Sequence, residues 1–513
     1  MSVLEQIKSP ETPEGERQYT KAELMEFIKS ESDHDTLIST ALPRIMASSL
    51  KHFEVDQILK GIKQKTGASL TSLRADIQNK EDEEGATDLD IAREVIMDCE
   101  PKNILHCEGG FRLWRGKGVW ESVDDQVIKK QVHTVLEQQY PPLPVYSSKV
   151  NSVTDLVRTE TYKEGSFFSG RADIINVKNG ELHFVDGVPV LKPHNRENYL
   201  TSQLNAAYDP EATAPRFMQF LNEVFKGDDD ADDKITVLLQ MMAYSLLQNC
   251  KYESFILLIG SGANGKSVLL EVLRALVGNK SASAVQPSQF DNKFQRGHLE
   301  GKLVNIVTEI SEGHEIKDAE LKAIVSGELT TAERKFQPPF EFQPYSTCWF
   351  GTNHMPHTRD FSDALFRRAI ILTFNNSFYG KARDPKLKEK LVNELSGILN
   401  MSLTALTQLF KDGAFVEPES SQEAKRQWRV EADQVAQFTE EYCQVSAESQ
   451  ETSQELYNAY DDWANDAGIS RRLNRNNFTK RLQKLGFAPK KGTGGVRTIT
   501  GIKLIKVPRF YAR

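Results

Sequence analysis

Cysteine is scarce in this 513-residue sequence: Cys99, Cys107, Cys250, Cys348 and Cys443 are scattered, with no CxxC spacing. That scatter argues against a zinc ribbon and against a disulfide framework, so a reducing compartment is expected. Long apolar runs are missing as well. None approaches the roughly 20 residues that span a bilayer, and the opening Met-Ser-Val-Leu-Glu-Gln-Ile-Lys does not read as a signal peptide. The third absence is acid near the end. From Gly468 to Arg513 there is no Asp or Glu but 13 Lys and Arg, whereas the remainder carries 51 basic and 72 acidic residues. The net charge of −8 therefore conceals a basic appendage on an acidic body. Such asymmetry is expected of a chain that meets nucleic acid through one end. The length suffices for three or four domains.

Against that background one stretch stands out: Gly260-Ser261-Gly262-Ala263-Asn264-Gly265-Lys266-Ser267. It follows Phe255-Ile-Leu-Leu-Ile259, an apolar run that reads as a strand buried on both faces, and opens into a helical pattern from Val268 to Val277. Strand, GxxxxGKS and helix is the order a phosphate-binding loop needs. Its glycines let backbone N–H groups curl around phosphate, and the helix start adds partial positive charge. Lys266 is expected to reach the β- and γ-phosphates of ATP, and the Ser267 hydroxyl to ligate Mg²⁺.

The other segments read in order. Residues 1–20, rich in Pro, Glu and Ser, read as a disordered lead. Residues 21–80 have helical periods, and 86–195 read as an α+β accessory domain after the charged linker Asn79–Gly85. Thr87-Asp-Leu-Asp90 could pair carboxylates around metal, but the helical pattern that follows favours a helix N-cap. Phe111 to Trp120 reads as a hairpin around Gly116 and Gly118, its Trp residues more in keeping with a small sheet than with base stacking. A strand meander over 165–193 turns at Asn179-Gly180. A helical lead-in covers 196–250; within it, the acidic run Gly227–Asp233 reads as a solvated helix start.

The core, 251–380, continues with Lys302 to Ile310, a second buried strand ending in Glu309. In parallel α/β sheets ligands gather at strand C-termini, which puts this carboxylate beside the loop. There it can polarise water and support Mg²⁺; Glu312 is a weaker substitute. A third strand, Thr347–Thr352, leads into Asn353, an amide suited to sensing a γ-phosphate. A fourth, Ala369–Phe374, follows Arg367 and Arg368, either of which could serve a neighbouring subunit as an arginine finger. Between the second and third strands, alternation on both sides of Gln337-Pro-Pro339 reads as a hairpin with Arg334, Lys335 and Phe336 near its tip. A cation beside an exposed aromatic suits a grip on a nucleic-acid backbone.

Read together, GSGANGKS, LVNIVTE, LKAIVSGELTTAERKF, CWFGTNHMP and ALFRR resemble the superfamily 3 helicases, in the branch of phage, plasmid and poxvirus primase-helicases. The likeness covers roughly Ile175 to Phe374, with Lys192-Pro-His194 and Tyr208-Asp-Pro210 resembling the lead-in of that branch. It implies an AAA+-type P-loop ATPase forming a hexameric ring, with the hairpin lining its pore. It also implies Glu309 as catalytic acid, Asn353 as sensor, Arg368 or Arg367 as finger, and Lys335 with Phe336 as the DNA grip. Travel would be 3′→5′. Some relatives carry two adjacent acids where this sequence has Thr308-Glu309, which shifts Mg²⁺ coordination toward Ser267 and water. No primase active site is evident in the sequence.

Residues 381–430 read as a helical lid or collar. The basic domain, 431–513, gives two helices (455–463 and 475–485) and two strands flanking a Gly-rich wing, an arrangement that looks like a winged-helix domain. Arg471, Arg472, Lys480, Arg481, Lys484 and Lys490 are its expected phosphate contacts. The expected fold is thus an α/β AAA+-type core with an α+β N-terminal region and a C-terminal winged helix. The expected function is an ATP-dependent replicative helicase of a phage, virus or mobile element, acting on single-stranded and forked DNA. It would work in the cytoplasm, beside a separate primase, polymerase or initiator. A ring ATPase for DNA packaging or protein remodelling, and an ATP-switched origin-binding protein, stay open as alternatives.

Overall fold

The computed structural model describes residues 18–505 apart from 75, 78–85, 108–109, 141–144, 165–167, 169–170, 186, 311–314, 359–362, 381–383, 468, 470–471 and 492–495. The chain divides into two units: Met1–Leu113 with Ser122–Glu164, and Trp114–Glu121 with Gly165–Arg513.

The first unit has two small cores. Helices α1 (Lys21–Ser30), α2 (His34–Met46) and α3 (His52–Thr66) enclose Leu24, Ile28, Leu37, Leu42, Ile58 and Ile62. In the second core α4 (Asp88–Asp98), α5 (Asp125–Gln139) and α6 (Ser147–Glu160) pack Ile91, Val95, Val132 and Val153 against Phe111 of a hairpin. That hairpin joins β1 (Ile104–Cys107) to β2 (Gly110–Trp114), and β3 (Trp120–Val123) follows. Thr87 caps α4, accepting from the Asp90 N–H while its own hydroxyl donates to the Asp90 carboxylate at 2.6 Å. The Asp-x-Asp pair is thereby accounted for as a capping box.

The second unit opens with the meander β4 (Ile174–Val177), β5 (Gly180–Val185) and β6 (Val188–Lys192). Asn179 and Tyr208 exchange side-chain and backbone hydrogen bonds at 2.8 Å, which ties the meander's first turn to the lead-in. Helices α7 (Pro215–Val224) and α8 (Ala231–Tyr244) then deliver the chain to a parallel sheet. Its strands are β7 (Phe255–Ile259), β8 (Ala282–Ser283), β9 (Val304–Val307), β12 (Thr347–Thr352) and β13 (Ala369–Thr373), in the order β13-β7-β12-β9-β8. Both faces are covered. Ile256, Leu258, Ile306, Trp349 and Leu372 belong to one core, and Phe255, Leu257, Val307, Phe350 and Ile371 to the other. This explains why β7 is apolar at every position rather than at alternate ones.

Helix α9 (Lys266–Val277) follows β7, and α10 (Asp318–Val325) precedes the hairpin of β10 (Thr330–Ala332) and β11 (Phe340–Phe342). A short turn of helix, α11 (Asp363–Phe366), leads into β13. Within 381–430 lie the helices α12 (Leu387–Val392), α13 (Leu395–Asp412), whose apolar face joins the core around Ile256 and Trp349, and α14 (Glu419–Ala432). From α14 the buried Trp428 meets Phe366 edge-on. The C-terminal part has its own core around Phe438, Tyr460, Phe478 and Ile502. Its order is α15 (Gln434–Tyr442), β14 (Cys443–Thr452), α16 (Ser453–Asp466), α17 (Arg475–Lys484), β15 (Ala488–Lys491) and β16 (Arg497–Leu504), with the sheet arranged β14-β16-β15. No helix among the described residues is long and apolar enough to cross a membrane.

Candidate active site

The loop between β7 and α9 is shaped by backbone that few side chains tolerate. Gly262, Ala263 and Gly265 have φ of 100°, 50° and 92°, so the chain curls left-handedly just before the first turn of α9. The N–H groups of that turn have no intrahelical acceptor and are free for a ligand. At Gly260 a Cβ would lie 2.1 Å from Asn264 Nδ2 and 2.6 Å from the Phe374 carbonyl. Beneath the loop, a Cβ on Gly265 would press against Val224 and Phe220 of α7. From the other side the segment after β13 clamps it: Asn264 Nδ2 donates to the Phe374 carbonyl, and the Phe378 N–H to the Ala263 carbonyl at 2.7 Å.

Lys266, first residue of α9, is 6% exposed, and its ammonium donates to the Gly260 carbonyl and to Asn353 Oδ1 at 3.4 Å. The Asn353 amide nitrogen in turn donates to Glu309 Oε1 at 3.3 Å, and Gln286 Nε2 holds the Glu309 carbonyl at 3.1 Å. Sheet order makes this chain of contacts possible. β12 lies between β7 and β9, in parallel register with both: Thr352 ends beside Ile259, and Val307, level with Phe350, leads two residues on to Glu309. Burial holds the Lys266 pKa below the usual lysine value, with the Glu309 charge opposing the shift. Ser267 is exposed at the mouth of the loop. Gly351 passes so close to the Thr308 carbonyl that a Cβ there would stand 2.4 Å from it. Glu312 lies outside the described residues.

One supporting group has no counterpart in the sequence reading. Lys234 of α8 is 1% exposed; it bonds Asp228 at 2.8 Å and Thr373 Oγ1 at 3.0 Å and lies 3.7 Å from Asp230. Asn375 adds a hydrogen bond to Asp228. Asp228 and Asp230 are therefore turned inward to anchor the strand beside the loop, rather than solvating a helix start. The sign of the charge run was legible; its buried partner was not.

The two candidate finger residues differ. Arg367 is exposed. Arg368 has 11% side-chain exposure and is held by Glu253, by Ser326 Oγ at 3.0 Å and by the Ala364 carbonyl at 2.7 Å. On the 330–342 hairpin, Phe336 is fully exposed with φ of 63°, and Lys335 beside it is exposed too. Arg334 lies lower, paired with Glu300 and stacked 4.3 Å above the Phe340 ring.

In the C-terminal domain Lys480, Lys484 and Lys490 are exposed. Arg481, expected with them, instead forms a buried ion pair with Asp433, the two side chains 10% and 1% exposed. Its helix face explains the difference: it lies between the buried Phe478 and Leu482, on the side that packs against α15. Arg472 pairs with Asp461 at 3.1 Å, and Arg471 lies outside the described residues. Trp120 is buried, donating its indole N–H to the Arg196 carbonyl and stacking on Tyr199, so it is not presented to bases.

Three family models match the chain. One, a family of unknown function (DUF5906), covers residues 258–368. The others, "D5 N terminal like" and "Poxvirus D5 protein-like", cover 93–226 and 430–507. Among curated proteins, "Putative helicase L207/L206" of Acanthamoeba polyphaga mimivirus is 27% identical over 190 residues, 33% of this chain and 19% of that protein. "Putative helicase 121R" of Invertebrate iridescent virus 3 is 21% identical over 234 residues, 42% of this chain and 24% of that protein. The chain thus spans at most about a quarter of the length of these relatives. The solved C-terminal region of NrS-1 gives a TM-score of 0.48 at 11% identity, over 81% of this chain and 100% of that one. The two D5-like models and the two viral putative helicases thus bear out the resemblance to primase-helicases that the motifs carry, over the segments they match.

Proposed function

We propose that the chain is an ATP-dependent DNA helicase built on an AAA+-type core. The observation that carries this reading is the contact chain Lys266–Asn353–Glu309 at the C-terminal ends of three adjacent parallel strands. It joins a cation at a glycine-rich loop to a carboxylate through an amide that accepts from one and donates to the other.

In this reading the triphosphate of ATP lies on Gly260–Ser267, against the free N–H groups of α9, with Lys266 turning from the Gly260 carbonyl to the phosphate oxygens. The donor set suits Mg²⁺. That ion keeps most of its water and phosphate ligands, needing only one or two protein oxygens, here Ser267 with help from Glu309. When bound it neutralises phosphate charge. Glu309 orients the attacking water and takes its proton, while Asn353 fixes the carboxylate and senses the terminal phosphate.

Arg367 sits just before β13, at the N-terminal ends of the strands, whereas the loop leaves the C-terminal end of the neighbouring β7. The length of a five-residue strand separates them, about 17 Å at 3.3 Å per residue. It therefore serves the site of a neighbouring subunit, which calls for a ring, a hexamer by family resemblance. The tip residues Lys335 and Phe336 face the pore and grip one DNA strand. We read α15 to β16 as a winged helix whose Lys480, Lys484 and Lys490 hold DNA phosphates. Residues 196–250, 251–380, 381–430 and 431–513 are then lead-in, core, collar and basic domain.

Glu309→Gln tests the site. The variant should keep nucleotide binding, seen as a thermal shift with ATP, while ATP turnover on single-stranded DNA falls by about 10²-fold or more. Undiminished turnover would remove Glu309 from catalysis and overturn the assignment.

A further inference from the structure

Arg368 follows Arg367 by one peptide bond, yet its guanidinium is engaged inside its own chain. Nη1 donates to the Ala364 carbonyl at 2.7 Å, which holds the short helix that presents Arg367. Nη2 pairs with Glu253, two residues before β7; Glu253 stands in left-handed backbone, with φ of 46°. Nη2 and Nε both donate to Ser326 Oγ, at 3.0 and 3.3 Å. The backbone is fixed too, since the Arg368 carbonyl accepts from the Phe255 N–H at 2.9 Å.

Ser326 ends α10 four residues before β10, at the base of the hairpin that carries Lys335. Gly327 next to it has φ of 67°, and a Cβ there would lie 3.2 Å from Cys250 Cβ. Cys250 also reaches the returning leg of the hairpin, its thiol donating to the Pro344 carbonyl at 3.3 Å. Both legs are thus gripped at their roots by residues 250–253 and Arg368. A planar guanidinium can hold three such partners at fixed angles, which an ammonium cannot.

We propose that Arg368, through Ser326, is a positioning residue that couples the finger Arg367 to the 330–342 hairpin. A shift of Arg367 as it engages or leaves a neighbour's triphosphate passes to Arg368, and from there to the root of the hairpin. Arg368 touches no substrate in this scheme. The proposal rests on the helicase reading above, with Arg367 as finger and Lys335 as grip.

The test measures base pairs unwound per ATP hydrolysed, with the full chain on forked DNA. Wild type and Lys335→Ala are run first, because failure of wild type to unwind would sink the helicase reading independently of the coupling. Ser326→Ala should keep DNA-independent ATPase within about twofold and lower base pairs per ATP by about three- to tenfold. Ser326→Thr, which keeps the hydroxyl, should restore the ratio. Arg368→Lys, checked for folding by thermal melt, should behave like Ser326→Ala. The coupling is overturned if Ser326→Ala and Arg368→Lys keep the wild-type ratio. It is equally overturned if ATPase and unwinding fall in step, as a merely structural contact predicts.

Discussion

Asn353 Oδ1 lies 3.4 Å from Lys266 Nζ, and the same amide reaches Glu309 at 3.3 Å with its nitrogen. An amide suits this position because it accepts from the ammonium and donates to the carboxylate without carrying charge. Asn353→Ala should lower kcat for ATP by about 10- to 100-fold with a smaller change in KM, as expected when a group orients a catalytic carboxylate. Asn353→Asp should be no better, since a second carboxylate would pair with Lys266 and repel Glu309. Steady-state ATPase assays of both variants check this.

Lys266 gives a pH signature. Burial lowers its pKa in the free protein, and bound phosphates raise it again. Nucleotide binding should therefore take up protons between the lowered value and the ordinary lysine value of about 10.4. Affinity falls as pH rises through that window, and the calorimetric enthalpy near its lower end depends on the buffer. In Lys266→Met the proton uptake should vanish along with tight binding. The free protein has the complementary sign. The charged form is penalised by burial, so the variant should be at least as stable as wild type at neutral pH, by thermal melt.

Arg481 and Lys484, one helical turn apart, should respond oppositely to truncation. Arg481→Ala strands the buried Asp433 carboxylate and should cost about 3–5 kcal/mol in denaturant unfolding of the chain. Lys484→Ala is at the surface and should change stability by less than about 0.5 kcal/mol. It should instead reduce the salt dependence of DNA binding by about one in the log–log slope. Equal stability of the two variants would contradict the buried pairing.

What could be read from sequence was what depends on near neighbours. The Phe255–Ile259 strand, the turn of glycines after it and the helix from Lys266 are each encoded in a few adjacent residues. So is the Thr87 cap, which closes on Asp90 three residues away. Partners far along the chain stayed hidden. Glu253 meets Arg368 across 115 residues and Asp433 meets Arg481 across 48; no local pattern pairs them. Arg481 carried a partial signal, since it falls three residues after Phe478 and one before Leu482, both buried. β14 went unread for a different reason. It is mostly polar and exposed, and its pairing with β16 shifts register between Val445 and Gln450, which erases the alternation a half-buried strand displays.

Strand displacement on a forked duplex, with ATP and Mg²⁺ and with each tail polarity, tests the central claim most directly. The account predicts ATP-dependent unwinding by wild type. It also predicts that Lys335→Ala loses the unwinding while keeping basal ATPase, because Lys335 sits at the exposed hairpin tip, away from the Lys266–Asn353–Glu309 chain. Wild type that separates neither fork, or Lys335→Ala that unwinds as fast as wild type, would contradict it.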